Sequence, residues 1–201
     1  MSLSRRTLLL AAPALLLGIA LVWNLGKPQT YAFRGSLIDP PVPAPDIALS
    51  DQHGQPFRLA DQRGKLVVLF FGYANCPDVC PTTLGEFAQL HRKLGPNANR
   101  VRFVFITIDP QRDTPADIAA YVDKFDAGIL GLSGTEAQLQ PLWDAYGVTR
   151  EREDVGGVLG YTFNHSARTY VINHDGQLRL TFPFGMEVDA MLEDLLYLLE
   201  H

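Results

Sequence analysis

Two cysteines are all that the 201 residues contain, so any thiol chemistry must come from Cys76 and Cys80 alone. There is no excess of positive charge. Seventeen Lys and Arg stand against 22 Asp and Glu, a net charge of -5 that gives no support to nucleic-acid binding. Internal repeats and low-complexity segments are absent, and 47% hydrophobic against 19% charged residues describes a folded chain rather than a disordered one. No cysteine follows the N-terminal apolar run, which excludes lipoprotein processing, and no small-x-small cleavage site ends it cleanly.

That run is the first positive feature. Arg5 and Arg6 precede the uncharged stretch from Leu8 to Trp23, about fifteen apolar residues, at the short limit for a spanning helix. Bulky and polar residues follow at Trp23-Asn24-Leu25-Gly26-Lys27, so residues 1–26 are expected to be an uncleaved signal anchor rather than a cleaved signal peptide. Ser4-Arg5-Arg6-Thr7-Leu8-Leu9 also has a twin-arginine pattern, one that arises readily by chance. Positive residues stay cytoplasmic. The expectation is a single-pass inner-membrane protein whose soluble domain lies in the oxidising periplasm. Pro28, Pro40, Pro41, Pro43 and Pro45 make residues 27–45 read as an extended linker, with the folded domain over 46–201.

Within that domain, Ile47-Ala48-Leu49 and Phe57-Arg58-Leu59 flank Asp51-Gln52-His53-Gly54, a hairpin pattern. The unbroken run Leu66 to Phe71 predicts a strand covered on both faces, and Val101 to Ile108 a second. Leu84, Phe87, Ala88, His91 and Leu94 have helical spacing, stopped by Gly95-Pro96. Thr114-Pro115 opens another helix, and a further one is predicted from Thr135 to Tyr146. Val148 to His165 is polar, Gly-rich and long for a structureless loop. Two strands, Ala167 to Ile172 and Gln177 to Phe182, flank an Asp-Gly turn, and an amphipathic helix runs from Glu187 to Glu200. The pattern predicts an α/β domain with a mixed sheet, parallel in its first half and antiparallel at its end.

The cysteines lie in Cys76-Pro77-Asp78-Val79-Cys80-Pro81, at a strand-to-helix turn where the helix dipole favours thiolate. A structural disulfide across so small a loop would constrain the unfolded chain little. Redox exchange and capture of a soft metal remain. Three intervening residues depart from the Cys-x-x-Cys of thioredoxin-type oxidoreductases. On a helix, residues i and i+4 hold Cβ atoms about 5–6 Å apart, whereas a disulfide needs about 3.5–4.5 Å. The pair therefore closes only if Cys76 lies off the helix, which Pro77 favours. Two thiolates suit Cu(I); Cu(II) or zinc would want a third ligand, most naturally an imidazole. Of the five histidines, His91 lies on a helical face, His201 is terminal, and His53 and His174 lie in turns. His165 ends the Gly-rich stretch directly before a strand and is the best candidate.

Phe71-Gly72-Tyr73-Ala74-Asn75-Cys76-Pro77-Asp78-Val79-Cys80-Pro81-Thr82-Thr83-Leu84 resembles the signature of the Sco/SenC family. Ile108-Asp109-Pro110-Gln111-Arg112-Asp113-Thr114-Pro115 is similar to its second block, and Asn164-His165-Ser166, followed by a strand and Asp175-Gly176, to its third. Asn75 stands where that family often has other polar or small residues. The resemblance implies a thioredoxin-like fold in which the residue before the late strand lies beside the cysteine turn. It implies copper, Cu(I) or Cu(II), on Cys76, Cys80 and His165. It further implies a chaperone for the binuclear copper site of cytochrome c oxidase subunit II or a related copper acceptor. Asp109 and Asp113 are read either as a turn and helix cap or as an acidic loop bordering the site. The alternative function is a membrane-tethered thiol-disulfide oxidoreductase. Val79-Cys80-Pro81-Thr82 also resembles the cysteine region of peroxiredoxins, but those carry a Thr three residues before the reactive cysteine, where this chain has Pro77.

Overall fold

Every residue of the apolar run Leu66–Gly72 is buried, which a strand achieves only with packed layers on both faces. The computed structural model describes residues 31–125 and 128–201. In chain order the strands are β1 (Ser36–Pro43), β2 (Ala48–Asp51), β3 (Pro56–Arg58), β4 (Leu66–Gly72), β5 (Val101–Thr107), β6 (Leu130–Ser133), β7 (Arg150–Gly156), β8 (Gly160–His165), β9 (Arg168–Ile172) and β10 (Gln177–Pro183). The α-helices are α1 (Val79–Leu94), α2 (Pro115–Val122), α3 (Glu136–Ala145) and α4 (Val188–Glu200).

Eight strands form one mixed sheet in the order β1-β10-β9-β4-β5-β6-β2-β3. The centre, β4-β5-β6, is parallel, and every other pairing is antiparallel. α1 and α2 are the crossovers of the parallel strands, so the C-terminal edge of β4 and β5 is where loops can gather functional groups. Aromatic rings fix the layers. On β5, Phe103 meets Phe87 of α1 and Phe105 meets Tyr121 of α2, with centroids 5.1 and 5.6 Å apart. On β4, Phe71 packs against Tyr146 and Tyr170. Thr114 starts α2 with a reciprocal capping box to Asp117.

Three parts differ from the sequence expectation. The segment read as linker through residue 45 contains β1, which pairs with β10. Pro40 and Pro41 fall in the register shift between Leu37 and Val42, on an edge strand, where missing amide donors break no ladder. The fully buried carboxylate of Asp194 fixes the start of this strand by accepting from the Arg34 and Gly35 amides. Second, β6 was not anticipated. It is four residues long and contains Gly131, where a Cβ would stand 2.2 Å from Ile118; the glycine that weakens its strand pattern lets α2 pack close. Third, the Gly-rich stretch at 148–165 is not structureless: it forms the β7-β8 hairpin, a separate two-stranded sheet.

The expected anchor over 1–26 lies outside the described residues. Among those described, no helix is long and apolar enough to cross a membrane.

Candidate metal centre

β4 ends at Gly72, and the chain then turns, with the Cys76 amide donating to the Tyr73 carbonyl at 3.2 Å. α1 begins only at Val79, so Cys76 stands on the loop and Cys80 in the first helical turn. Asp78, the residue before the helix, makes no side-chain cap. Instead the Cys80 amide, which has no partner within the helix, donates to Cys76 Sγ at 3.4 Å. Cys76 is half-buried and Cys80 fully buried, and both are free thiols. Hydrogen bonding from the Cys80 thiol, aided by backbone amides and opposed by burial, draws the Cys76 pKa down to about 4. Burial, together with the Cys76 thiolate, pushes Cys80 up. At neutral pH the two sulfurs therefore share one proton, a nucleophilic thiolate beside a buried thiol.

His165 closes the site from the other side. It ends β8, paired with Arg150 of β7, and its Nε2 lies 3.7 Å from Cys80 Sγ. Its Nδ1 is 3.0 Å from the Ser166 carbonyl. A carbonyl only accepts, so Nδ1 carries the proton and the Nε2 lone pair faces the cysteines. Phe70 and Tyr73 hold the ring edge-on, at 6.1 and 5.9 Å. The sulfurs of Cys76 and Cys80 and a ring nitrogen of His165, atoms that could ligate a metal, all lie within 4.8 Å of one another. Two soft sulfurs and one imidazole nitrogen can bridge a copper ion, two thiolates sufficing for Cu(I) and the nitrogen completing a site for Cu(II).

The other histidines lie elsewhere. His91 packs on Phe103, His201 stacks on Tyr197, His174 pairs with Asp175, and His53 sits in the turn after Asp51. Asp109 and Asp113 support the site without joining it. Asp113 accepts from the Ala74 amide at 3.1 Å and the Thr107 hydroxyl at 2.6 Å, which pins the cysteine turn to β5. Burial raises its pKa to about 6 against these donors. Asp109 accepts from Arg112 and from the Tyr161 hydroxyl.

Arg112 went unremarked in the sequence. Its Nη1 donates to the Leu159 and Tyr161 carbonyls, and its guanidinium lies 3.5 Å from the Tyr161 ring centroid. Arg150 covers Trp143 and Arg152 covers Tyr161, both at 3.8 Å. Stacking of Arg112 on Tyr161 and of Arg150 on Trp143 thus helps hold the hairpin that carries His165, together with the hydrogen bonds of Arg112, Arg150 and Tyr161. The readable signal was the alternation Tyr161, Phe163, His165 opposite Arg150 and Arg152.

Comparison with known proteins agrees with this geometry. A family model described as SCO1/SenC matches residues 42–200. The mitochondrial SCO2 homolog of Mus musculus is 34% identical over 178 residues, covering 85% of this chain and 70% of that protein. The structure of Bradyrhizobium japonicum ScoI with copper bound superposes with a TM-score of 0.72 at 33% identity, covering 78% of this chain and 99% of that one. Apo Sco1 from Thermus thermophilus gives 0.74 at 34% identity, with coverage of 85% and 99%.

Proposed function

Because this chain belongs to the SCO1/SenC family, with the mixed α/β, thioredoxin-like fold of its structural relatives, we propose that it carries copper on Cys76, Cys80 and His165. In this reading the copper is cargo, passed on to the binuclear site of cytochrome c oxidase subunit II or a related acceptor. The N-terminal segment anchors the protein in the inner membrane, and the soluble domain works in the periplasm.

The observation that carries this reading is the convergence of two sulfurs and the Nε2 lone pair within 4.8 Å, from residues up to 89 positions apart. Cu(I) takes the two sulfurs, and His165 matters more when the metal is Cu(II). Cys80 must give up its proton on loading, and the metal supplies the charge that burial otherwise opposes. A Cys76–Cys80 disulfide removes both thiolates, so the oxidised form carries no Cu(I). Transfer then proceeds by ligand exchange, the acceptor's cysteines and histidines replacing these three ligands one at a time.

A second reading has its own support. Cys76 is a half-exposed thiolate with a buried thiol next to it, the arrangement of an attacking and a resolving cysteine. Reducing a disulfide in the acceptor before copper transfer would use the same two residues, so the two functions are compatible.

The test is to mix the copper-loaded chain with the copper-free soluble domain of subunit II and follow the acceptor's binuclear copper absorption. Filling of the acceptor by the wild type, and none by Cys80→Ala, supports delivery. Filling no faster than from an equal amount of copper in buffer refutes it.

A further inference from the structure

The β7-β8 hairpin forms a sheet of its own. His165 ends β8, with two residues between it and β9, the neighbour of β4, and side-chain links add to the hold that this connection gives. One of those links begins on the cysteine turn itself. Tyr73 is 1% exposed, and its backbone carbonyl receives the Cys76 amide. Its hydroxyl receives the Phe163 amide at 3.2 Å and lies 2.5 Å from Thr162 Oγ1. With one lone pair committed to Phe163, the phenolic proton is free to point at Thr162. The ring meets Phe163 edge-on at 5.5 Å and His165 at 5.9 Å. One residue therefore grips the turn that bears Cys76 through its backbone and the strand that bears His165 through its side chain.

Filling this space would need only a phenyl ring. A buried hydroxyl is costly unless it is bonded, and here both of its bonds go to β8, at the two residues three and two positions before His165. The hydroxyl sets how far β8 lies from the turn, and with it the approach of Nε2 to Cys80.

We propose that Tyr73 is a positioning residue that couples the cysteine arm and the histidine arm of the metal centre, so that its hydroxyl selects for the three-ligand site without being needed for the two-sulfur site. The proposal rests on the reading of Cys76, Cys80 and His165 as metal ligands. Tyr73→Phe should leave Cu(I) affinity unchanged. It should weaken Cu(II) by about 10–100-fold, the usual cost of removing a group that orients a ligand. The nitrogen couplings in the Cu(II) electron paramagnetic resonance spectrum should fade with it.

The experiment uses the purified full chain, as wild type, Tyr73→Phe and Thr162→Val, the last removing the partner while keeping the tyrosine. Cu(II) and Cu(I) are titrated separately. In the metal-free proteins, NMR reads exchange of the Phe163 amide and the cross-relaxation between the His165 ring and the Cys80 β-protons. Weakened Cu(II) binding in both variants, retained Cu(I) binding and loss of the His165–Cys80 signal support the proposal. Wild-type Cu(II) spectra and affinity in both variants overturn it. If Tyr73→Phe does not fold, Thr162→Val decides by the same criteria. If the wild type binds no copper, the metal-centre reading fails, and the metal-free signal alone decides whether Tyr73 positions His165: loss in either variant supports the role, and an unchanged signal in both excludes it.

Discussion

Gly72 and Cys80 share one space: a methyl group built on Gly72 would stand 2.8 Å from the Cys80 sulfur, and as close to Phe70 and Phe105. The last residue of β4 must lack a side chain so that the buried sulfur can sit against the strand end. Gly72→Ala forces Cys80 or the rings to shift, at about 1–3 kcal/mol for overpacking. Denaturant unfolding with a copper titration checks this, and the expected outcome is a lower midpoint together with weaker copper binding.

Asp113 ties the cysteine turn to β5. Asp113→Ala leaves the half-buried Ala74 amide and the buried Thr107 hydroxyl without their acceptor, at roughly 1–3 kcal/mol for a fully buried group left unpaired and less at Ala74. Chemical denaturation should show a clear loss of stability, and hydrogen exchange should locate it at Ala74.

Arg112 clasps the hairpin. Arg112→Met leaves Asp109, which is 1% exposed, without its ion-pair partner and frees the Leu159 and Tyr161 carbonyls. Removing one member of a buried pair costs about 3–5 kcal/mol, and the 21% exposure of Arg112 places this case at the lower end. Limited proteolysis should report it as faster cleavage in the Gly156–Gly160 turn.

The cysteine pair makes both stability and thiol reactivity depend on pH. The Cys76 pKa falls from 9.0 to about 4 on folding. Its thiolate therefore contributes stability that is full above the unfolded value and is lost as pH falls through the folded one. Alkylation of the metal-free reduced chain should stay fast at Cys76 from alkaline pH down to near 4, then drop, while the buried Cys80 stays protected. Mass mapping of the labelled cysteine as pH is lowered checks this. Equal labelling of both cysteines would contradict it.

Much of this was legible in the chain. The run Leu66 to Phe71, the Thr114-Pro115 cap and the Leu84-Phe87-Ala88-His91-Leu94 spacing each follow from short-range periodicity, and each element stands where it was read. The three candidate ligands, which the structure brings within 4.8 Å of one another, were also picked out in the sequence, because a cysteine pair on a strand-to-helix turn and a histidine before a strand carry local signals. What escaped depends on distant partners. β1 needs the free edge of β10 to make a strand of a proline-rich segment, and β6 needs the space that Gly131 leaves for Ile118. The β7-β8 hairpin looked like a loop because its glycines and charges dominate the composition. Its stacking partners Arg112 and Trp143 lie outside it in sequence.

The most direct measurement is an anaerobic titration of the reduced full chain, first with Cu(I) by competition and then with Cu(II) by absorption. The account predicts a single tightly bound equivalent and a sulfur-to-Cu(II) charge-transfer band, lost in Cys76→Ser and shifted in His165→Ala. Binding no stronger than in a variant lacking both cysteines would contradict it, and would leave thiol-disulfide exchange as the chemistry of the pair.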